Sequence, residues 1–277
     1  MPDMTLTERA CRILETTGAT EKAALSRAAA VEFREDPAME IGNAPPPDRP
    51  GRPGQPELLH PAKMPRRRGG TPTARAALLH AVLHIELNAI DLAWDMVARF
   101  TSHNLPRDFY EDWVKIGDEE AKHFTLLADR LADLGFAYGD FPAHDGLWEA
   151  AYETRNDLAA RLAIVPMVLE ARGLDVTPAM IERFAKIGDD KSAGVLKIIL
   201  KEEIGHVATG GRWFRFICER NHLDARLTWQ ALVRKNFKGL LKPPFNEEAR
   251  ESAGLPPQFY QPLAAKPFQK QTKNGKF

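Results

Sequence analysis

Between Thr71 and about Asn221, apolar residues recur every three to four positions over long stretches, the period of an amphipathic α-helix. Four long helices are predicted there, at about 72–100, 106–134, 147–171 and 191–220. Pro106 at the start of the second and Gly135 just past its end are residues that open and close helices. No run of alternating β-branched residues competes with this reading. The link between the second and third helices, GFAYGDFPAHDGLW, is long and irregular, enough to cross the end of a bundle or run along its side. The predicted fold is all-α: an antiparallel four-helix bundle with one long crossover.

The flanks have a different texture. Residues 5–36 are alanine-rich and periodic, as in TEKAALSRAAAVEF, and predict a helical segment. The stretch GNAPPPDRPGRPGQPELLHPAKMPRRRGG packs proline, glycine and arginine too densely for a regular element, so an extended linker or a wrapping arm is expected. After the bundle come a shorter helix, ARLTWQALVRKNF, and a basic tail interrupted by prolines. Four parts are therefore expected: an N-terminal helical segment 1–36, an arm 37–70, the bundle 71–221, and a C-terminal extension 222–277.

Two acids break the apolar pattern. Glu86 shares a helix face with Val82, Leu83, Ala89, Ile90, Ala93 and Val97, and Glu170 shares one with Ala163, Pro166, Met167 and Leu174. An unpaired charge on such a face is expensive, so both require a partner. Two Glu-x-x-His pairs provide candidates: Glu120 with His123 in DEEAKHF, and Glu203 with His206 in KEEIGHV. Residues three apart project from one helix face. Glu86 precedes Glu120 by 34 residues and Glu170 precedes Glu203 by 33, with the turns at Asn104 and Gly188 near each midpoint. In antiparallel pairs that spacing sets each single Glu level with its own Glu-x-x-His.

Four carboxylates and two imidazoles are the ligand set of carboxylate-bridged di-iron and di-manganese bundles. Oxygen and imidazole donors suit iron or manganese better than a thiolate-selective metal, which leaves Fe/Fe, Mn/Fe and Mn/Mn open. Satisfied polar core residues or fortuitous surface pairs are the alternative. Glu119 and Glu202 turn about 100° away from their neighbours and are expected in solvent or supporting the ligands.

At these residues the chain resembles the ferritin-like superfamily and, within it, an uncharacterised bacterial family, the domain-of-unknown-function 455 family. The matching stretches are HAVLHIELNAIDLAWD, DEEAKHF, FPAHDGLW, EARGLDVTP and KEEIGHVATGGRWF, within residues 72–217. The resemblance implies a four-helix two-metal bundle with Glu86, Glu120, His123, Glu170, Glu203 and His206 as ligands. A relative by fold, the di-iron tRNA hydroxylase that oxidises an isoprenylated adenosine, shares no specific stretch; a modified nucleoside stands beside small molecules as a substrate class. Storage ferritins have a continuous third helix, whereas Pro166, Gly173 and Pro178 bracket Glu170 here. Either a kink opens a channel beside the ligand, or the helix ends near Gly173 and a short one follows from Pro178 to Lys186.

Other polar clusters carry weaker expectations. His80, His84, Asn88, Asp91 and Asp95 form a stripe opposite Glu86, facing the arm or solvent, or else a second metal or proton-relay site. His144 belongs to a loop or to the bundle mouth, and Asp145 is placed to cap the next helix. Tyr110, Trp113, Phe124, Trp213 and Phe214 pack a core, or shield an oxidant or carry an electron. Arg66, Arg67 and Arg68, with Lys266, Lys270, Lys273 and Lys276 in the tail, are a weak pointer to RNA.

Composition narrows the setting. With 38 basic and 38 acidic residues in 277, no global field draws the chain to nucleic acid or membrane. Two cysteines without a CxxC pattern, no apolar leader and no apolar run longer than LAIVPMVL predict a soluble, cytoplasmic protein, and the flanking arms and interrupted third helix suggest a monomer or small homo-oligomer. The leading function is an oxidoreductase activating dioxygen to hydroxylate or desaturate an organic substrate. Iron handling, with ferroxidase or peroxide-defence chemistry, and a metal-free interaction bundle are the alternatives. The sequence names neither the substrate nor the electron donor.

Overall fold

A computed structural model of the chain describes residues 4–65 and 71–265, and among these every regular element is helical. The arginine run 66–68 and the lysines from 266 onward lie outside the described residues.

Two helices open the chain, α1 (Leu6–Glu15) and α2 (Ala19–Glu35). Thr5 caps α1 reciprocally with Glu8: the Thr5 hydroxyl accepts from the Glu8 amide while the Glu8 carboxylate accepts from the Thr5 amide. The next long helices, α3 (Pro72–Arg99) and α4 (Arg107–Asp133), form an antiparallel hairpin whose turn places Asn104 in the left-handed region. Helix α1 lies against α3, and α2 against α4. By length and composition α3 would span a bilayer, but 78% of its most apolar window is buried inside the protein, so its apolarity serves the core.

Close approach between α2, α3 and α4 centres on Gly117. A Cβ there would lie 2.8 Å from Trp94 Nε1, and Ser26 threads the gap, accepting from Trp94 Nε1 and donating to the Gly117 carbonyl, both at 2.7 Å.

The third quarter differs from the single helix 147–171 that the pattern predicts. Helix α5 (Gly146–Glu153) stops, and the chain restarts at α6 (Leu158–Ile164), where Asp157 accepts from the Ala160 amide at 2.9 Å. Then α6 widens into a π-helical segment, Val165–Glu170, which runs directly into α7 (Ala171–Lys186). The helix does not end at Gly173, and the irregularity expected around Pro166 takes the form of this π turn beside Glu170. Pro166 lacks the N–H that an α-ladder needs, and a wider turn accommodates it. Pro178 sits inside α7, freeing the carbonyl of Leu174, and the Asn246 amide donates to that carbonyl at 3.1 Å. A side chain from elsewhere thus repairs the ladder.

Helix α8 (Asp190–Arg220) returns antiparallel to α7 after a turn with Gly188 at φ 72°. Its cap Asp189 also holds Arg130 of α4 at 3.0 Å, fastening the two hairpins together. Helix α8 packs on α4, α6 and the π segment. A Cβ on Gly210 would lie 2.3 Å from Pro166 Cβ, so only glycine lets α8 approach that turn. Helix α9 (Ala225–Asn236) covers α6, with Trp229 donating to the Ala163 carbonyl just before the π segment. Short helices α10 (Glu247–Ser252) and α11 (Pro257–Tyr260) are the last α-helices among the described residues.

Residues 37–65 wrap the outside. The backbone amides of Leu6 and Thr7 donate to the carbonyls of Glu40 and Ile41, and Gly51 donates to Leu14. Leu58 pairs with Ala143 in a short parallel bridge.

Candidate metal centre

Helix α3 places Glu86 on its inward face, and α4 places Glu120 and His123 one turn apart on theirs. The π segment ends on Glu170, and α8 supplies Glu203 and His206. Glu86, Glu120, His123 and Glu203 bring one ligand atom each to within 4.8 Å of one another, a group that could hold a metal ion. His206 joins them: its Nδ1 lies 2.9 Å from Glu120 Oε1 and 3.4 Å from Glu203 Oε1. His123 Nδ1 lies 3.3 Å from both Glu86 Oε2 and Glu120 Oε2, and 3.9 Å from Glu203 Oε1. Glu120 therefore directs one oxygen at each histidine.

Glu170 completes the group. The residue keeps some exposure, but its Oε2 is buried without a hydrogen-bond partner. Burial first, then the charges of Glu203 and Glu120, push its carboxyl well above the usual range. Glu86 and Glu203 are raised for the same two reasons, burial and the Glu120 charge. Glu120 goes the other way: burial opposes ionisation, yet the two imidazoles hold its carboxyl well below normal. His123 is pushed up to about 11, because hydrogen bonds to Glu120 and Glu86 outweigh its burial. His206 is raised as well, against its burial, by the Glu120 and Glu203 charges.

Four carboxylates this close repel one another, and only shared protons or cations stabilise them. Among the described residues the buried Glu170 Oε2 has no hydrogen-bond partner, and Glu120 Oε1 and His206 Nδ1 face each other at 2.9 Å without the geometry of a hydrogen bond. A divalent cation satisfies such donors directly, and oxygen plus imidazole ligands suit iron or manganese. The residues present fit a metal.

Glu119 and Glu202 have a sharper placement than their helix phase suggests. Each pairs with the histidine of the opposite motif: His206 Nε2 lies 2.9 Å from Glu119 Oε2, and His123 Nε2 lies 2.8 Å from Glu202 Oε2. A carboxylate on the outer nitrogen fixes the tautomer and leaves Nδ1 free for a metal. Burial opposes ionisation of both acids, yet the hydrogen bond to His206 keeps Glu119 low, and those to Lys122 and His123 keep Glu202 low. The doubled acids in DEEAKHF and KEEIGHV were the visible signal.

Over residues 15–261 the chain matches the family described as "Protein of unknown function (DUF455)". It belongs to that family. An uncharacterized protein of Haemophilus influenzae is 41% identical over 209 residues, which cover 73% of this chain and 72% of that protein. No solved structure matches the chain. The stretches that carry the DUF455 resemblance have defined places here. EARGLD brings Glu170 within the influence of Glu203 and Glu120 and holds Asp175 against Arg250 by two 2.7 Å hydrogen bonds. HDGLW opens α5, but Asp145 makes no cap bond. Its carboxylate is drawn to Arg49 and Arg52 of the arm, at 3.2 and 3.7 Å.

The stripe on α3 is buried and faces the arm. Asp91 pairs with Lys22 and Arg52, Asn88 accepts from Arg52, and Asp95 accepts from Arg99 and Arg161. His84 Nδ1 lies 2.9 Å from the Tyr138 hydroxyl. The partner cations Lys22, Arg52 and Arg161 went unrecognised in the sequence, although Lys22 keeps the phase of buried Ser26, Ala29, Ala30 and Phe33. Tyr110, Trp113, Phe124, Trp213 and Phe214 are all core residues.

Proposed function

We propose that this DUF455 protein is a ferritin-like, carboxylate-bridged two-metal oxidoreductase that activates dioxygen to hydroxylate or desaturate an organic substrate. The observation that carries the reading is the convergence of Glu86, Glu120, His123, Glu170, Glu203 and His206, with the buried Glu170 Oε2 left without a hydrogen-bond partner. Glu120 and Glu203, each within reach of both histidines, would hold the metal together with Glu86 and Glu170. When bound and reduced by an external electron donor, such a metal pair would supply the electrons for dioxygen activation.

The protein's own work is positional. Burial of Glu86, Glu120, His123 and His206 keeps bulk water away. Glu119 and Glu202 orient the imidazoles, and both keep about a quarter of their side chains exposed, so each can pass a proton between the centre and solvent. Lys122, 2.6 Å from Glu202, keeps that acid ionised as an acceptor.

Metal analysis and oxygen consumption test the reading. Protein prepared anaerobically with ample iron is expected to retain about two irons per chain, the number such a six-residue ligand set holds. Glu120→Ala or Glu203→Ala loses them. Oxygen uptake that depends on an added organic substrate supports the oxidoreductase; uptake driven by ferrous iron alone favours iron oxidation. Wild-type protein that retains no metal sinks both.

A further inference from the structure

A cleft of about 340 Å³ opens between α7 and the strap 237–245 that follows α9. Its volume is within the range of small-molecule sites. The floor is Val168 and Leu169, the two residues before Glu170, and Phe237, Leu241 and Phe245 form the facing wall. Four cationic side chains, Arg172, Lys238, Lys242 and Arg250, line the same cleft against one carboxylate, Asp175.

That imbalance is only partly relieved. Arg250 is 3% exposed and clamps Asp175 through Nε and Nη2, leaving its Nη1 buried with no hydrogen-bond partner. Arg172 lies 3.5 Å from Asp175 and otherwise donates to the backbone carbonyls of Lys242 and Pro244. Lys238 meets Glu153 at 3.4 Å, but both are well exposed, so solvent screens the pair. Lys242 has no side-chain ion pair among the described residues. An apolar floor and wall under uncompensated positive charge complement one kind of molecule.

We propose that this cleft binds an amphipathic organic anion, a carboxylate or phosphate carried on an apolar body, with the body on Val168 and Leu169 and the anion among Arg172, Lys238 and Lys242. The occupant rests on the segment that ends in Glu170, so it sits one helix wall from the candidate metal group. Its role as substrate rests on the oxidoreductase reading; its binding does not.

Two dyes of nearly the same shape decide the matter on the full-length protein, metal-loaded and chelator-treated. The probe is the anion 1-anilinonaphthalene-8-sulfonate, and the control is the neutral N-phenyl-1-naphthylamine. The anion is expected to bind at one site per chain, more tightly than the neutral dye, and to be displaced by decanoate or decyl phosphate. A Lys238→Glu/Lys242→Glu double variant changes only exposed side chains. It should weaken the anionic dye by about tenfold or more and leave the neutral dye unchanged, since two reversed charges act only on the charged probe. Leu240→Asp, at an exposed position of the same lining, should weaken both dyes. Equal affinity for the two dyes, insensitivity to the double variant, displacement by inorganic phosphate as readily as by decyl phosphate, or binding only to anionic vesicles would each overturn the proposal. Binding lost in the variants but retained without metal upholds the cleft even if the two-metal reading fails.

Discussion

Glu119 and Glu202 are each adjacent in sequence to a candidate ligand, yet each serves the histidine of the other hairpin. Replacing either by Gln keeps a hydrogen bond but removes the charge that makes the imidazole a good ligand. Metal affinity should fall by about 10–100-fold, the usual effect of losing such a partner, as read by chelator competition. The titrating groups give a second expectation, and its sign is fixed. His123 holds its proton up to about 11, against an ordinary 6.5, so in metal-free protein its contribution to stability is full below pH 6.5 and disappears as pH rises toward 11. Glu86, Glu170 and Glu203, raised above 4.5, act in the same direction because burial disfavours their ionised forms. Chelator-treated protein should therefore melt at progressively lower temperature as pH rises above 6.5. Metal-loaded protein should show a flatter profile, because the cation displaces those protons and replaces their role.

At the scale of the helix, the π turn and α8 are matched by one missing side chain. Gly210→Ala puts a methyl carbon into Pro166, and overpacking of that kind costs about 1–3 kcal/mol. Because Pro166 lies in the turn that ends on Glu170, the variant should lose metal as well as melting temperature. Gly117→Ala, which crowds Trp94 one turn before Glu120, should also lower the melting temperature. Much of this architecture was legible. The ends of α3, α4 and α8 lie within a residue or so of their predicted places because long 3.6-residue periods and flanking Pro and Gly are strong signals. The grouping of Glu86 with Glu120, His123 and Glu203 was legible too, because a carboxylate on an apolar face has few physical excuses. The segment 146–186 was not. Its stop at 154–157 depends on the Asp157 cap, and its passage through Pro178 depends on Asn246, a residue some seventy positions away. Local pattern cannot report a repair made by a distant side chain.

Across the whole molecule, the arm and the first two helices are fixed to α3 by buried charge. Lys22 is 1% exposed and Asp91 fully buried, with Arg52 closing the group from the arm. Asp91→Ala would strand two cations and should cost about 3–5 kcal/mol, with residues 37–65 becoming the first site of limited proteolysis. A Lys22→Met/Asp91→Leu pair, which removes one of those cations with its counterion, should recover part of that loss. The wrapping also sets an order of events during synthesis. Helices of 10 and 17 residues are marginal alone in water, and Lys22 meets its counterion only 69 positions later in the chain. A segment made before α3 is therefore among the last to lock, waiting as solvated, fraying helix until the surface it will clasp has been made.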